Sequence, residues 1–249
     1  MKETFYNVNA PLKIALLADL HNHPCPQAID CLHRQKPDII CIAGDMVDGH
    51  TLGGIEKQTH ALTSLTECVN IAPTFMSLGN HEQVLTGSDF ATIRDTGVVL
   101  LDNSWVEKDG LVLGGLSSGY MKNTIPDEDA APLSTRLSKE KMASPENSVP
   151  SPDTAWLANF AKVDGYKILL CHHPEYISLI PPTVNLVLSG HAHGGQIRFF
   201  GHGLYAPDQG WFPKLTSGVH DGRLVISRGL SNPFHVPRIF NPYEVVYIN

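Results

Sequence analysis

Long apolar runs are missing from this chain. No stretch approaches the roughly 20 residues that span a bilayer. The start, "MKETFYNVNAPLKIALLADLH", also lacks a basic segment followed by an apolar signal core. The sequence therefore predicts a cytoplasmic protein with no transmembrane segment. An excess of basic residues is missing too, since 18 Lys and Arg face 25 Asp and Glu for a formal net charge of -7. That balance argues against a surface made to neutralise a nucleic-acid backbone or to lie on anionic lipid. Small anionic substrates remain open, because bound cations reverse a local field. Cysteine is scarce and odd in number, at five, and Cys41 and Cys171 sit among apolar neighbours as core thiols rather than in a disulfide framework. There is no internal repeat and no linker that would divide the 249 residues, which suffice for one large α/β domain over 1–249.

What the chain does contain is a series of short apolar runs rich in Ile, Leu and Val. Leu12 to Ala18, Asp38 to Ala43, Thr74 to Leu78, Lys167 to Cys171 and Leu186 to Ser189 are strands apolar on both faces, which suggests sheet interiors. Gln27 to Lys36 and Gly54 to Asn70 read as helices between them. This alternation predicts an α/β fold with parallel pairing and right-handed crossovers. "GVVLLDNSWVEKDGLVLGGL", with its Lys-Asp-Gly turn, and "DGRLVISRG" followed by "YEVVYIN" read as antiparallel hairpin material, so that a second sheet or an extension of the first packs on the parallel part. Ser117 to Asp153 is rich in Pro, Ser, Asp, Glu and Lys and reads as a polar excursion, mobile or acting as a lid.

The residues that follow the strands carry the chemistry. They are "ADLH" with Asp19 and His21, "AGDMVD" with Asp45 and Asp48, "LGNHE" with Asn80 and His81, "CHHP" with His172 and His173, and "SGHAHGG" with His191 and His193. Parallel α/β sheets gather ligand sites at the carboxyl ends of their strands, so five such ends can converge on one crevice. Two divalent cations about 3.5–4 Å apart need a bridging carboxylate, further oxygen and imidazole ligands, and open positions for water and substrate. Mixed Asp, His and Asn donors suit manganese, iron or zinc better than calcium, and paired ligating thiols that would mark a structural zinc site are missing. A turn histidine or a loop cap is the bland alternative at each position.

In this order, D-x-H, G-D-x-x-D, G-N-H-E, a lone His and G-H-x-H, the motifs from Asp19 to His193 closely resemble the calcineurin-like metallophosphoesterase superfamily. "GHAHGGQIR" and "ISRGL" resemble more narrowly its bacterial phosphohydrolase and phosphodiesterase branch. The resemblance implies a layered α/β/β/α sandwich with mixed sheets and a dinuclear site hydrolysing a phosphate ester by attack of a bridging hydroxide. It implies Asp19, His21 and His193 on one metal, Asp45 bridging, and Asn80, His172 and His191 on the other. His172 is chosen over His173 as the residue nearest the strand end. His81 would be the general acid, with Asp48 accepting its other ring proton. Arg198, Arg228 and His23 are candidates for substrate contact. A small phosphodiester is the favoured substrate. The alternatives are a monoester, a pyrophosphate such as a nucleotide-linked lipid precursor, or a non-catalytic module on the same fold.

Overall fold

The computed structural model describes residues 1–51, 53–123, 149–233 and 236–249. Its strands are β1 (Lys2–Tyr6), β2 (Ile14–Leu17), β3 (Ile39–Ala43), β4 (Thr74–Ser77), β5 (Val99–Leu101), β6 (Ser104–Lys108), β7 (Leu111–Leu116), β8 (Tyr166–Cys171) and β9 (Leu186–Ser189). Two small pairs follow, β10 (Arg198–Phe199) with β11 (His202–Gly203) and β12 (Tyr205–Ala206) with β13 (Gly210–Trp211). The last strands are β14 (Gly218–His220), β15 (Leu224–Ile226) and β16 (Glu244–Ile248). The helices are α1 (Pro26–Gln35), α2 (Thr59–Ile71), α3 (Gly87–Asp95) and α4 (Leu157–Phe160).

Two six-stranded sheets carry the architecture, in the orders β1-β16-β2-β3-β4-β5 and β14-β15-β9-β8-β7-β6. In the first, β2 to β5 run parallel and β16 enters antiparallel to β2 and parallel to β1. In the second, β7, β8, β9 and β15 run parallel, with β6 and β14 antiparallel at the edges.

Strand alternation assigns the layers. Ile14, Leu16, Cys41 and Ala43 of the first sheet meet Leu113, Ile168, Leu170 and Leu188 of the second in one apolar layer. Ala15, Leu17, Ile40 and Ile42 face the other way, onto Cys31 and Leu32 of α1 and Leu65 and Cys68 of α2. On the far side of the second sheet, Val112, Leu169 and Val187 pack against Leu157 and Phe160 of α4. The result is the mixed α/β/β/α sandwich, and the continuous apolar strands are explained by burial on both faces. All five cysteines are buried free thiols.

Several sequence expectations change in detail. The helix expected over Gly54 to Asn70 is broken at Gln58, between a short 3-10 turn (Ile55–Lys57) and α2. Gln58 is turned inward and fully buried, where its amide accepts from the Asp48 N–H at 3.0 Å and donates to the Asp48 carbonyl at 3.1 Å. "DGRLVISRG" and "YEVVYIN" do not pair with each other. β15 pairs with β14 and β9, while β16 inserts between β1 and β2 of the other sheet. The first hairpin holds at β6–β7 around Asp109 and Gly110, yet β5, expected with it, joins β4 in parallel. Within the expected polar excursion, Ser117 and Ser118 are still buried. Its far end is tied in by Tyr176, whose hydroxyl donates to the Pro150 carbonyl at 2.6 Å and accepts from the Gly119 N–H at 3.1 Å. The stretch 124–148 lies outside the described residues.

Candidate metal centre

The carboxyl ends of β2, β3, β4, β8 and β9 point to one place, and the loops there are bent by unusual backbone. Asp19, His21, Asp45, His191 and His193 all have φ between 46° and 67°, the left-handed region. Asp and His enter that region more readily than bulky residues do, but it remains disfavoured and marks strained turns. The turns are held from below. Asp19 donates its N–H to the Gly44 carbonyl at 3.2 Å, and its carboxylate accepts from the His191 N–H at 3.1 and 3.2 Å. Gly44 is needed between β3 and Asp45, because its φ is +83° and a Cβ there would lie 2.5 Å from the Gly79 nitrogen.

Four overlapping triads form among the described residues, each bringing one ligating atom per residue within 4.8 Å of the others: Asp19, His21 and His193; His21, Asp45 and His81; Asp45, His172 and His191; and His173, His191 and Asp208. Asp45 belongs to two of these. Its Oδ2 lies 3.0 Å from His172 Nε2 and 4.0 Å from the Nε2 atoms of both His21 and His81, while its Oδ1 accepts the His81 N–H at 2.8 Å. Asp19 Oδ1 lies 3.7 Å from His193 Nε2 and 3.9 Å from His172 Nε2. His21 Nε2 and His193 Nε2 are 3.3 Å apart.

A fit test for metal comes from proton placement. His172 Nδ1 is 2.6 Å from the Ala43 carbonyl, an acceptor only, so Nδ1 carries the ring proton of the neutral imidazole. The Nε2 lone pair then points at a carboxylate oxygen 3.0 Å away. Two facing acceptors in a dry interior repel unless a proton or a cation lies between them. Asn80 Oδ1 is likewise buried without a hydrogen-bond partner. His191 has Nε2 committed to Asp208 Oδ2 at 2.8 Å, which leaves Nδ1 as its free lone pair. The donor set therefore fits divalent cations.

The electrostatics agree. Burial pushes Asp19 up to about 6, against the pull of His172. Burial also opposes the charge on Asp45, but His172, His81 and His21 together hold it well below the ordinary carboxylate range. Burial lowers His172, yet Asp45 and Asp19 overcome it and raise the ring to about 10, the response of an imidazole forced to stand in for a cation. Burial holds His21 and His193 well below the usual histidine value, as neutral ligands require.

His81 and Asp48 are brought together, but not as expected. His81 Nδ1 accepts the Gly49 N–H at 2.8 Å, so its proton sits on Nε2, and Asp48 Oδ1 is 3.9 Å from Nδ1. The Asp48 carboxylate instead caps its own loop, accepting from the His50 N–H at 3.0 Å and the Thr51 hydroxyl at 2.8 Å. His173 stays behind the centre, its Nε2 2.8 Å from the Ser118 hydroxyl. His23 is exposed at the turn after His21. Arg198 is not aimed at the cluster. It is buried, and its guanidinium donates to the Gly194 carbonyl at 2.6 Å, the Thr216 hydroxyl at 3.1 Å and the Gly201 carbonyl, so it clamps the chain after β9. Arg228 pairs with Glu244 at 3.6 Å.

Two side chains that brace the candidate site have no counterpart in the sequence expectations. Glu82 is fully buried and accepts four backbone N–H groups, from Gly79 at 2.7 Å, Met46 at 2.8 Å, Asp45 at 2.9 Å and Val47 at 3.4 Å. It thereby fastens the Asn80 loop to the Asp45 loop. Burial and the nearby Asp45 charge push it up to about 7. Its position in "GNHE" was the available signal. Asp208, the partner of His191, lies in a loop with no motif around it and had none.

Comparison with known proteins places these residues in context. A family model described as calcineurin-like phosphoesterase matches residues 12–195. An uncharacterised metallophosphoesterase of Campylobacter jejuni is 25% identical over 252 residues, covering 98% of this chain and 60% of its own length. Another from Aquifex aeolicus is 27% identical over 221 residues, covering 86% of this chain and 73% of its own. The phosphodiesterase YaeI of Escherichia coli is 28% identical over 205 residues, covering 78% of this chain and 65% of its own. The chain thus spans three-fifths to three-quarters of the length of these relatives.

Proposed function

Because the chain belongs to the calcineurin-like phosphoesterase family, we propose that it is a metal-dependent phosphodiesterase, acting as one domain with a dinuclear centre. The observation that carries this reading is the His172 lone pair set 3.0 Å from the Asp45 carboxylate with its other nitrogen already committed. Asp19, His21 and His193 would hold one ion and Asn80, His172 and His191 the other, with Asp45 shared. Manganese, iron or zinc fits the imidazole-rich donors. When bound, two such cations supply a water of lowered pKa and draw charge from the phosphoryl oxygens.

The protein's own groups do the rest. The Asp19 and Asp45 carboxylates are pre-oriented by backbone N–H groups, from His191 and from His81 respectively. Ala43 and Asp208 fix which nitrogen of His172 and His191 is free to coordinate. His81, with its side chain partly open to solvent, is placed to protonate the leaving oxygen. To act so, the ring must first take a second proton from solvent at Nδ1 and swing that nitrogen from the Gly49 N–H toward the Asp48 carboxylate, 3.9 Å away, against the burial that lowers its pKa; the Nε2 proton then passes to the departing alkoxide, leaving neutral imidazole. The phosphodiester preference draws support from the named E. coli relative. The test is hydrolysis by metal-loaded protein of chromogenic diesters, monoesters and nucleotide pyrophosphates. Turnover led by diesters is expected, and turnover led by either other class would overturn the preference.

A further inference from the structure

The apolar exposure of this protein is unevenly distributed. Ten of the fourteen exposed large hydrophobic side chains among the described residues lie between Phe199 and Tyr243. They sit on short strands and the turns between them. Phe200, at the tip joining β10 to β11, is fully exposed, and Phe212 and Phe240 are about three-quarters exposed. All three have left-handed backbone, with φ of 48°, 55° and 53°. A bulky aromatic is disfavoured in that conformation, and exposing it to water is a second penalty at the same position. Neighbouring rings reinforce one another, Phe199 against Phe240 at 6.0 Å and Tyr205 against Trp211 at 5.6 Å.

Beside this rim is a cavity of about 270 Å³ walled by Ile197, Leu204, Tyr205, Trp211, Val236 and, at one side, His193. His193 is also a member of the Asp19 and His21 triad, so an apolar pocket and the candidate metal centre share a wall. Charge on this part of the chain runs against the whole. Residues 198–243 carry five Arg and Lys against two Asp, on a chain of formal net charge -7. Arg228 lines the neighbouring hollow with Phe199, Phe200 and Phe240. Most of these cations are engaged, since Arg198 and Arg223 donate to backbone carbonyls and Arg228 faces Glu244, so the exposed rings rather than charge set the character of this face.

We propose that the cavity between His193 and Trp211 is an acyl-chain subsite and that the aromatic rim around it rests on a lipid surface, so that the substrate is an amphiphilic phosphodiester. This rests on the phosphoesterase reading and names its substrate class. An alkyl chain fills the apolar walls while the phosphate reaches the shared centre across His193. Aromatic side chains at exposed turn tips partition into the headgroup boundary, and the cavity that opens beside them leads to the candidate centre through His193.

The experiment compares two diesters of the same leaving group, methyl and octyl p-nitrophenyl phosphate, below the micellar threshold of the octyl ester. It adds co-sedimentation with vesicles of phosphatidylcholine containing phosphatidylglycerol. Each methylene seated in the pocket is worth roughly fourfold in affinity, so a kcat/KM at least about tenfold higher is expected for the octyl ester. Trp211→Ser and Val236→Asn, both substitutions of partly exposed wall residues, should bring that ratio toward one. Vesicle binding should fall with Phe200→Ser and Phe212→Ser. Hydrolysis of both esters at equal kcat/KM without vesicle binding would overturn the subsite while leaving the phosphoesterase reading intact. Hydrolysis of neither ester by metal-loaded protein would overturn that reading and the subsite with it. A dimer that Phe200→Ser dissolves would assign the rim to a second copy of the chain and overturn the lipid surface.

Discussion

Replacing Glu82 by Gln isolates the clamp beneath the centre from its shape. The carboxylate accepts from Gly79 and Asp45 through Oε2 and from Met46 and Val47 through Oε1. Glutamine retains one oxygen, and its amide nitrogen is forced to face two N–H donors. Each buried N–H left without an acceptor costs about 1–3 kcal/mol, which gives roughly 2–6 kcal/mol for two. Removing a like charge near Asp45, and no longer burying an ionised group, offsets part of this, for a net loss of about 2–4 kcal/mol. For a chain of this size that is a fall in Tm of roughly 4–16 °C. The comparison should be made on metal-free protein at a pH of about 8, above the value of about 7 to which burial pushes Glu82, so that the parent carries the ionised carboxylate. Circular dichroism melts give the stability, and metal stoichiometry after reloading gives the effect on the centre, which should lose affinity as the Asp45 loop loosens. An unchanged Tm together with full metal retention would show that the four contacts do not hold the loops, and the argument would fail.

Other outcomes follow from the same geometry. Exhaustive chelation should abolish hydrolysis, with manganese or another first-row cation restoring it better than calcium; full activity in verified metal-free protein would refute the metal centre. His81→Ala should keep its metals and lose about 10²–10⁴-fold in turnover, most for alkyl leaving groups and least for nitrophenol, and equal losses for both would remove the acid role. Asp208→Asn should weaken metal retention by about 10–100-fold in a chelator competition, because it frees His191 to change tautomer, and unaltered retention would count against that hydrogen bond.

How much of this was legible beforehand depended on whether a residue acts through local pattern or through distant contact. Ile14, Ile40 and Leu188 announce buried strands because apolar residues on both faces have no other economical home. Asp19, His21, Asp45, His172, His191 and His193 were legible because each follows such a strand, and strand ends converge. The pairing of β16 with β1 and β2 was not, since an isolated apolar run has no local signal for which sheet will accept it. Gln58 broke an otherwise helical pattern for the sake of a hydrogen bond to Asp48, ten residues earlier in sequence. The helix α3 has only "TGSD" as a local signal, a capping box between Thr86 and Asp89 with a weakly apolar stretch behind it. Asp208 and the role of Arg198 depended wholly on which backbone the fold lays beside them.

The left-handed turns at Asp19, His21, Asp45, His191 and His193 carry a consequence for laboratory evolution. Each position holds a side chain where glycine or asparagine would relax the backbone, at a gain of about 1 kcal/mol apiece, comparable in total with the whole stability of a small domain. A selection that rewarded thermal resistance alone would therefore be drawn first to the proposed metal ligands, and would recover sturdier proteins by erasing them. Selection under limiting divalent cation would run the opposite way if these side chains hold the proposed ions, because ions bound only by the native state would make the same strained positions stabilising.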